Sequence, residues 1–169
     1  MENFNTVEFE RNKIAGEVTK KLDDGTVVTQ FGGPTGYYQK EIPPKGWFYV
    51  YKEFYGNGLL KTSGSLFKKG DYKTGSWQEF DSSGNKTRET NYDAGYTLQL
   101  EDILKILHDR GIKFSLEDRY NSIRRTVVNA RPEWFVKWKE QEKRMERMEI
   151  DDAGGRIIKQ DFYAVEEDH

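Results

Sequence analysis

The side chains best suited to catalysis are few in this sequence, and they show no catalytic spacing. The only histidines are His108 and His169, and the stretch ILHDRG around His108 predicts a helix end. Neither His-x-Glu nor His-Glu-x-x-His occurs, which disfavours a zinc hydrolase. No serine lies in a Gly-x-Ser-x-Gly elbow, and the chain contains no cysteine. These patterns argue against nucleophilic and metal-dependent catalysis.

Adjacent carboxylates, which could act as acids and bases, occur at several places, and four pairs are considered. Each pair is interpreted as a turn former or as solvated surface, because nothing in the sequence indicates a glycosidase-like pair of acids. The pairs are Asp23/Asp24, Glu101/Asp102, Asp151/Asp152 and Glu166/Glu167. We therefore predict a protein that is not an enzyme and that needs no cofactor and no metal.

The composition disfavours two classes of partner. With 27 basic and 29 acidic residues and a formal net charge of −2, the chain has no overall positive field to attract nucleic acid or an anionic membrane. No apolar run approaches the roughly 20 residues that cross a bilayer, and the start MENFNTVEFERNK lacks a signal-peptide pattern. We expect neither nucleic-acid binding nor membrane insertion. The expected location is cytoplasmic, or periplasmic if a leader has been removed.

Aromatic side chains beside turns are the best candidates for binding, because tyrosine and tryptophan bury a large area with few rotatable bonds. Rings inside strands, among them Trp47, Phe54, Trp77 and Phe80, are expected in the core. The tyrosines beside turns are expected to be exposed. An arginine-rich span between residues 119 and 131 is either a polar contact patch or a solvated loop. The candidate partner-binding residues are Tyr37, Tyr38, Tyr55, Tyr72, Arg124 and Arg125.

The elements that must position these residues are, in the first 95 residues, strands separated by glycine-rich turns. TVEFE, KIAGEVTKKL and TVVTQF are short segments rich in β-branched residues. GYYQKEI follows and ends at Pro43-Pro44, which cannot continue a β-ladder. The next segment, WFYVYKEFY, is apolar on both faces, so either both faces are partly covered or one face awaits a partner.

One hairpin sequence pattern occurs twice. YKEFYGNGLLKTSGSLF (51–67) and WQEFDSSGNKTRETNYD (77–93) align at an offset of 26 residues, with Glu53/Glu79, Phe54/Phe80 and Gly58/Gly84 matched. The glycine that closes each four-residue turn is expected at positive φ. KKLDDGTVV is a decayed further copy, and EIDDAGGRIIKQDF aligns with the second copy through Gly154/Gly84. A single hairpin is marginal in water, so repetition builds a sheet that can bury one face.

The chain changes character at Tyr96. TLQLEDILKILHDRGI places leucine and isoleucine at i, i+3, i+4 and i+7, which predicts an amphipathic helix. Thr97 is the expected N-cap, and Gly111 followed by Ile112 fits a C′ glycine with its apolar neighbour. A strand is expected around Val127-Val128. Residues 133–150 fit either a charged helix or two antiparallel strands, and the alternation of Trp134, Val136 and Trp138 favours the strands.

The repeated segments resemble the MORN-repeat-variant family of bacterial proteins, and YTLQLEDILKILHDRGI resembles the helix that often follows its repeats. The family is often found as the antitoxin or immunity component of bacterial toxin systems. The C-terminal run PEWFVKWK…MEIDDAGGRIIK also resembles a PepSY-type helix-plus-hairpin unit. The first resemblance covers about residues 47–112, and it implies a binding role and one cognate toxin as the partner.

The sequence therefore predicts an α+β protein in which an antiparallel sheet of repeated β-hairpins (residues 1–95) precedes one amphipathic helix and a C-terminal β-hairpin unit (96–169). The two parts are expected to pack as one compact body. The resemblance implies an immunity protein or antitoxin that occludes a cognate bacterial toxin. The alternative is a non-enzymatic scaffold or cell-envelope module built on the same hairpin ribbon.

Overall fold

A computed structural model describes residues 2–70, 72–142 and 144–164. The chain divides into two compact units. Unit 1 contains residues up to 68 and residues 73–93, and unit 2 contains 69–72 and the residues from 94 onward. The predicted division at residue 95 differs from this in the 69–72 segment, which belongs to unit 2.

The described residues form two helices and eleven strands, all strands pairing antiparallel. This confirms the α+β class. The elements are α1 Thr6–Asn12, β1 Glu17–Lys21, β2 Val27–Gly33, β3 Gly36–Ile42, β4 Phe48–Tyr55, β5 Leu60–Phe67, β6 Lys73–Phe80, β7 Lys86–Asn91, α2 Leu100–Asp109, β8 Ser122–Val128, β9 Arg131–Gln141, β10 Arg144–Asp151 and β11 Ile157–Ala164.

Unit 1 is one seven-stranded sheet in which each strand pairs with its neighbour in sequence, in the order β1 to β7. Its core lies on one face of the sheet, where rings from the N-terminal segment pack on rings of β3 and β4. The cluster consists of Phe4, Phe9, Tyr37, Phe54 and Leu60, with Val18 and Phe80 packed against it. We call this side the helix face, because Phe9 of α1 is buried in it.

The repeated hairpins share one turn geometry. In the turns closed by Gly58 and Gly84, the glycine N–H donates to the carbonyl three residues earlier, at 2.8 and 2.9 Å. Gly25 does the same at 2.9 Å. The three glycines have φ of 85°, 86° and 87°, a region that costs glycine nothing because it has no Cβ. The expected positive φ is confirmed, and the turn of the decayed copy has the same geometry as the two clear ones.

The turn at Asp81 carries a testable pH dependence. The Asp81 carboxylate accepts from the backbone N–H groups of Ser83 and Asn85, both at 2.9 Å. These bonds, the Asn85 bond foremost, hold the pKa of Asp81 below its usual value of 3.8. Because the folded pKa is depressed, the stability that Asp81 contributes is present above pH 3.8 and is lost as the pH falls through the folded pKa.

We expect a carboxyl-carbon NMR titration of the folded chain to give Asp81 a midpoint below 3.8. Asn85→Ala removes only the side-chain bond from Nδ2, at 3.1 Å, and should raise the midpoint part of the way. The chain unfolded in urea is the control. Equal midpoints in the folded and unfolded chains would contradict the assignment.

Unit 2 is a four-stranded sheet in the order β11-β10-β9-β8, together with α2. The two antiparallel strands preferred for 133–150 are confirmed as β9 and β10, and the strand expected around Val127-Val128 is confirmed as β8. The buried apolar residues of these elements come from the helix and from three of the strands. They are Leu100, Ile103, Leu107, Ile123, Trp134, Val136, Trp138, Met145, Met148 and Ile150.

The C-terminal end of α2 matches its prediction, and the N-terminal end does not. Ile112 N donates to Leu107 O at 2.9 Å and Gly111 N to His108 O at 2.8 Å, which is the Schellman pattern. The N-cap is Gln99 instead of Thr97, and the Gln99 N–H donates to Asp102 at 2.8 Å. Thr97 lies two residues before the N-cap, and its N–H donates to Asp152 at 2.5 Å.

One further prediction is wrong, and one alignment does not extend to the turn geometry. TVEFE was expected as a strand but lies in α1, so the described residues contain a second helix. The Asn5 side chain accepts from Glu8 N at 3.0 Å and donates to the Glu8 carboxylate at 2.9 Å, which caps the helix. In the last hairpin the positive φ belongs to Gly155, at 69°, and not to Gly154, because this turn is one residue longer.

Candidate protein-binding surface

A row of aromatic rings crosses the face of the unit 1 sheet opposite the helix face. We call Phe31, Tyr38, Tyr51, Trp77 and Tyr92 the aromatic row. Successive ring centroids along the row are 5.1, 6.3, 6.3 and 5.9 Å apart. The contact between Tyr51 and Trp77 joins the two repeat copies at the positions that align in the sequence. Repetition therefore produces a continuous row of rings across the sheet.

Strand β5 contributes a glycine to this row instead of a ring. Gly64 pairs with Tyr51 across the β4–β5 ladder. A Cβ at Gly64 would lie 2.2 Å from two atoms of the Trp77 indole, so only glycine leaves room for the tryptophan. Trp77 is 3% exposed, and its Nε1 donates to Ser65 O at 3.2 Å. The indole is therefore held in place within the row.

Two lysines lie over the row. Lys73 Nζ is 4.1 Å from the Trp77 centroid and 4.8 Å from that of Tyr92. Lys40 Nζ is 5.8 Å from the Phe31 centroid. Cation–π contacts of this kind hold a charge close to apolar surface. The row thus combines half-buried rings with fixed positive charge.

The stacking geometry favours some partners over others. Phe31 and Tyr38 are inclined by only 17°, and Tyr51 and Trp77 by 30°. The flat faces of these rings are occupied by one another and by lysines. Nucleic-acid bases need free ring faces on which to stack, whereas protein side chains pack against ring edges as well. The row is better suited to a protein partner.

On the helix face, polar side chains of β2, β3 and β4 hydrogen-bond to one another. Gln30 donates to Gln39 at 2.6 Å, and Gln39 donates to Glu41 at 2.6 Å. Lys52 bonds both Glu41, at 2.6 Å, and Glu2, at 2.7 Å. Burial lowers the pKa of Lys52, but its two carboxylate partners outweigh burial and raise the pKa above the usual value. This network stabilises the sheet and leaves the opposite face as the candidate surface.

The tyrosines chosen from the sequence divide between the two sides of unit 1. Tyr37 was expected to be exposed, but it is 3% exposed and stacks on Phe4 at 4.7 Å. Burial, and then the charge of Glu10, raise the pKa of the Tyr37 hydroxyl. Tyr38 is half-buried in the aromatic row. Tyr55 is also half-buried, and its hydroxyl donates to Phe80 O at 2.8 Å.

The other three candidates, Tyr72, Arg124 and Arg125, belong to unit 2. Tyr72 was expected to be exposed but is 8% exposed. The Arg125 guanidinium is ringed by Tyr72, Tyr96 and Trp134, at 4.8, 4.4 and 5.5 Å. Arg125 is therefore part of the packing of unit 2, and Arg124 alone of the three is exposed.

Of the rings expected in the core, Phe54 and Trp77 are buried, at 1% and 3% exposure. Trp47 and Phe80 are half-buried. The sequence reasoning missed Phe31 and Tyr92 as members of the row. The strand pairing indicates their membership. Phe31 faces Tyr38 across β2 and β3, and Tyr92 directly follows β7, which pairs with the strand of Trp77.

Asp152 is the most deeply buried carboxylate of unit 2, at 1% exposure. It accepts from Thr97 N at 2.5 Å, Leu98 N at 3.1 Å and Trp134 Nε1 at 2.8 Å. The prediction of a turn former or solvated residue holds in part: Asp152 lies in the β10–β11 turn, but it is not solvated. Through these bonds the carboxylate connects the β10–β11 turn to residues 97 and 98, which precede α2, and to the buried Trp134.

The described residues contain no group of three or more metal-ligating side chains. Every described carboxylate with a shifted pKa moves downward and is held ionised by hydrogen bonds. These are Asp24, Asp81, Glu89, Asp109 and Asp161. A general acid at neutral pH requires the opposite direction.

Each unit contains open pockets. One of about 390 Å³ is lined by Lys73, which lies over the aromatic row, and also by Tyr55, Lys61 and Glu79. Another, of about 330 Å³, lies in unit 2 near the C-terminal end of α2, beside Trp138 and Glu146. None of the helices formed by the described residues has the length and apolar character to cross a bilayer.

The fold and the candidate surface define an α+β protein of two antiparallel sheets that presents a row of rings on one sheet face. No protein family, curated protein or solved structure showed a significant match to the chain.

Proposed function

We propose that this chain is a non-enzymatic binding protein, of the immunity or antitoxin type, that neutralises a cognate bacterial protein toxin by covering the toxin's active site. The observation that carries the proposal is the aromatic row. Half-buried rings on a hydrogen-bonded sheet change little on binding, so little conformational entropy is lost when a partner docks. Tyrosine and tryptophan are also the residues that most often dominate interface energetics.

The size of the sheet is consistent with occlusion. A standard interface buries about 1,600 Å² in total, or about 800 Å² on each partner. The row crosses β2 to β6 and reaches Tyr92 after β7. Strands lie about 4.8 Å apart, so the row extends roughly 20 Å or more across the sheet. A surface of this extent covers the mouth of an enzyme active site without entering it.

The experiment is capture followed by a toxicity assay. The full chain is used as bait at physiological salt in a lysate of the bacterium that encodes it, and each stoichiometric partner is then expressed alone and together with the chain. We expect one partner that arrests growth alone and is harmless with the chain. Partners that are all harmless when expressed alone would overturn the proposal.

The aromatic row should account for much of the affinity for that partner. Tyr51→Ala removes the ring that links the two repeats, and we expect a loss of about 2 kcal/mol, or roughly 30-fold in Kd, by calorimetric titration. Lys40→Glu keeps the rings and reverses one charge over them, and should also weaken binding. The matched control is Lys20→Ala, an exposed change on β1. If Tyr51→Ala and Lys40→Glu both bind with the Kd of the wild-type chain, the interface lies elsewhere.

A further inference from the structure

The four sheet edges of the two units differ in how well they are protected against pairing. A strand edge carries unpaired backbone groups, and natural proteins protect it with charge or with short strands. β1 is five residues long, and three of them are charged. β7 carries Lys86, Arg88 and Glu89, and β8 carries two arginines. These three edges are protected in the usual way.

Strand β11 is different. It is eight residues long, IIKQDFYA, without proline or glycine, and among the described strands it pairs only with β10. Its large apolar side chains are exposed: 47% for Ile158, 62% for Phe162 and 40% for Tyr163. A long edge strand with exposed apolar side chains, whose charges are one lysine and one aspartate, can recruit another strand.

The sequence of β11 is complementary to itself in the antiparallel direction. When two copies pair with Gln160 facing Gln160, the numbers of any two residues that face each other add up to 320. Lys159 then faces Asp161 of the second copy, and Ile158 faces Phe162 of the second copy. Opposite charges and aromatic–β-branched pairs are both favourable across antiparallel strands. Within one chain Lys159 and Asp161 are already 2.9 Å apart, so their charges lie on the same face of the strand.

From this edge and its symmetry we infer that β11 is a homodimerisation strand. Two copies pair antiparallel about a two-fold axis at Gln160, and their four-stranded sheets join into one eight-stranded sheet. The occupant of the edge is a second copy of this chain, because the charge pattern of β11 matches β11 itself. The inference does not depend on the proposed function, since the aromatic row belongs to unit 1 and β11 to unit 2.

Cysteine cross-linking tests the register directly, because the chain contains no cysteine. Facing residues of an antiparallel pair have Cα atoms about 4.5–5.5 Å apart, within the range that a disulfide spans. Gln160→Cys should therefore form a covalent dimer under mild oxidation. Ile158→Cys is the matched control on the same strand, since the two copies of position 158 would lie four residues apart, or about 13 Å.

A charge exchange tests the same pairing without oxidation. Lys159→Asp alone places like charges opposite each other and should abolish the doubled mass in sedimentation velocity. Asp161→Lys should do the same, and it also breaks the pairing of Asp161 with Arg147 within the chain. The two changes combined restore opposite charges and should restore the dimer. Equal cross-linking of both cysteine variants, or a wild-type chain that stays monomeric up to high micromolar concentration, would overturn the inference. A strand supplied by a different protein would give that monomeric result.

Discussion

Replacing Asp152 by alanine is expected to destabilise unit 2 by about 3–5 kcal/mol. The carboxylate accepts three hydrogen bonds, from Thr97 N, Leu98 N and Trp134 Nε1. Alanine leaves these donors without an acceptor, and the indole donor belongs to a tryptophan that is 0% exposed. A buried donor that loses its partner carries its full desolvation cost. The loss should appear in urea unfolding followed by tryptophan fluorescence.

Two further variants make this result interpretable. Asp152→Asn retains one acceptor oxygen and should fall between the wild-type chain and the alanine variant. Asp151→Ala removes the neighbouring carboxylate of the same turn and should change the free energy of unfolding by less than about 1 kcal/mol. Hydrogen exchange at Leu98 should accelerate in Asp152→Ala alone. Similar losses for the two alanine variants would show that the turn, and not the buried carboxylate, is the important feature.

Gly64→Ala is expected to be a strongly damaging single-methyl addition in unit 1. The new Cβ would lie 2.2 Å from the Trp77 indole, a distance that no rotation of a methyl group relieves. The indole is buried and bonded to Ser65 O, so the strand or the ring must move. Overpacking a core usually costs about 1–3 kcal/mol, and we expect a loss at the upper end of that range.

A double-mutant cycle separates this overlap from a general intolerance of β5. In a Trp77→Ala background the overlap no longer exists. Gly64→Ala should then be neutral or stabilising by up to about 1 kcal/mol, because glycine is unfavourable inside a strand. The free energy of unfolding from urea titrations of the four chains gives the coupling between the two positions. Additive losses would contradict the contact on which the aromatic row depends.

The local signals in the sequence predicted most of the fold. Turn glycines such as Gly58 and Gly84 require positive φ, and their spacing fixed the hairpins. The alternation of Trp134, Val136 and Trp138 distinguished strand from helix, because side chains on a strand repeat every two residues. The C-terminal end of α2 was predictable because the Schellman motif depends on neighbouring residues alone.

The failures arose where burial depends on distant parts of the chain. TVEFE alternates like a strand, and the capping pattern from Asn5 to Glu8 was the signal that should have indicated a helix. Missing α1 also misplaced Tyr37, because the ring that covers it, Phe4, comes from the same segment. Asp152 sits in a turn sequence, and only the fold brings residues 97 and 98 to its carboxylate.

The candidate surface could be predicted in part. The offset of 26 residues aligned Tyr51 with Trp77, and the structure places those two rings in contact. The sequence could not show which strand faces were covered, since that depends on α1. It also could not show that Arg125 is enclosed by rings. The tyrosines predicted to be exposed therefore included both core residues and members of the aromatic row.

The most direct test of the central claim is a growth assay with the captured partner. Cells that express this partner are given the wild-type chain, a Tyr38→Ala/Tyr51→Ala variant or the Lys20→Ala control, all shown to be folded by near-ultraviolet circular dichroism. We predict that the wild-type and control chains restore growth and that the double variant does not. Full rescue by the double variant would contradict neutralisation through the aromatic row.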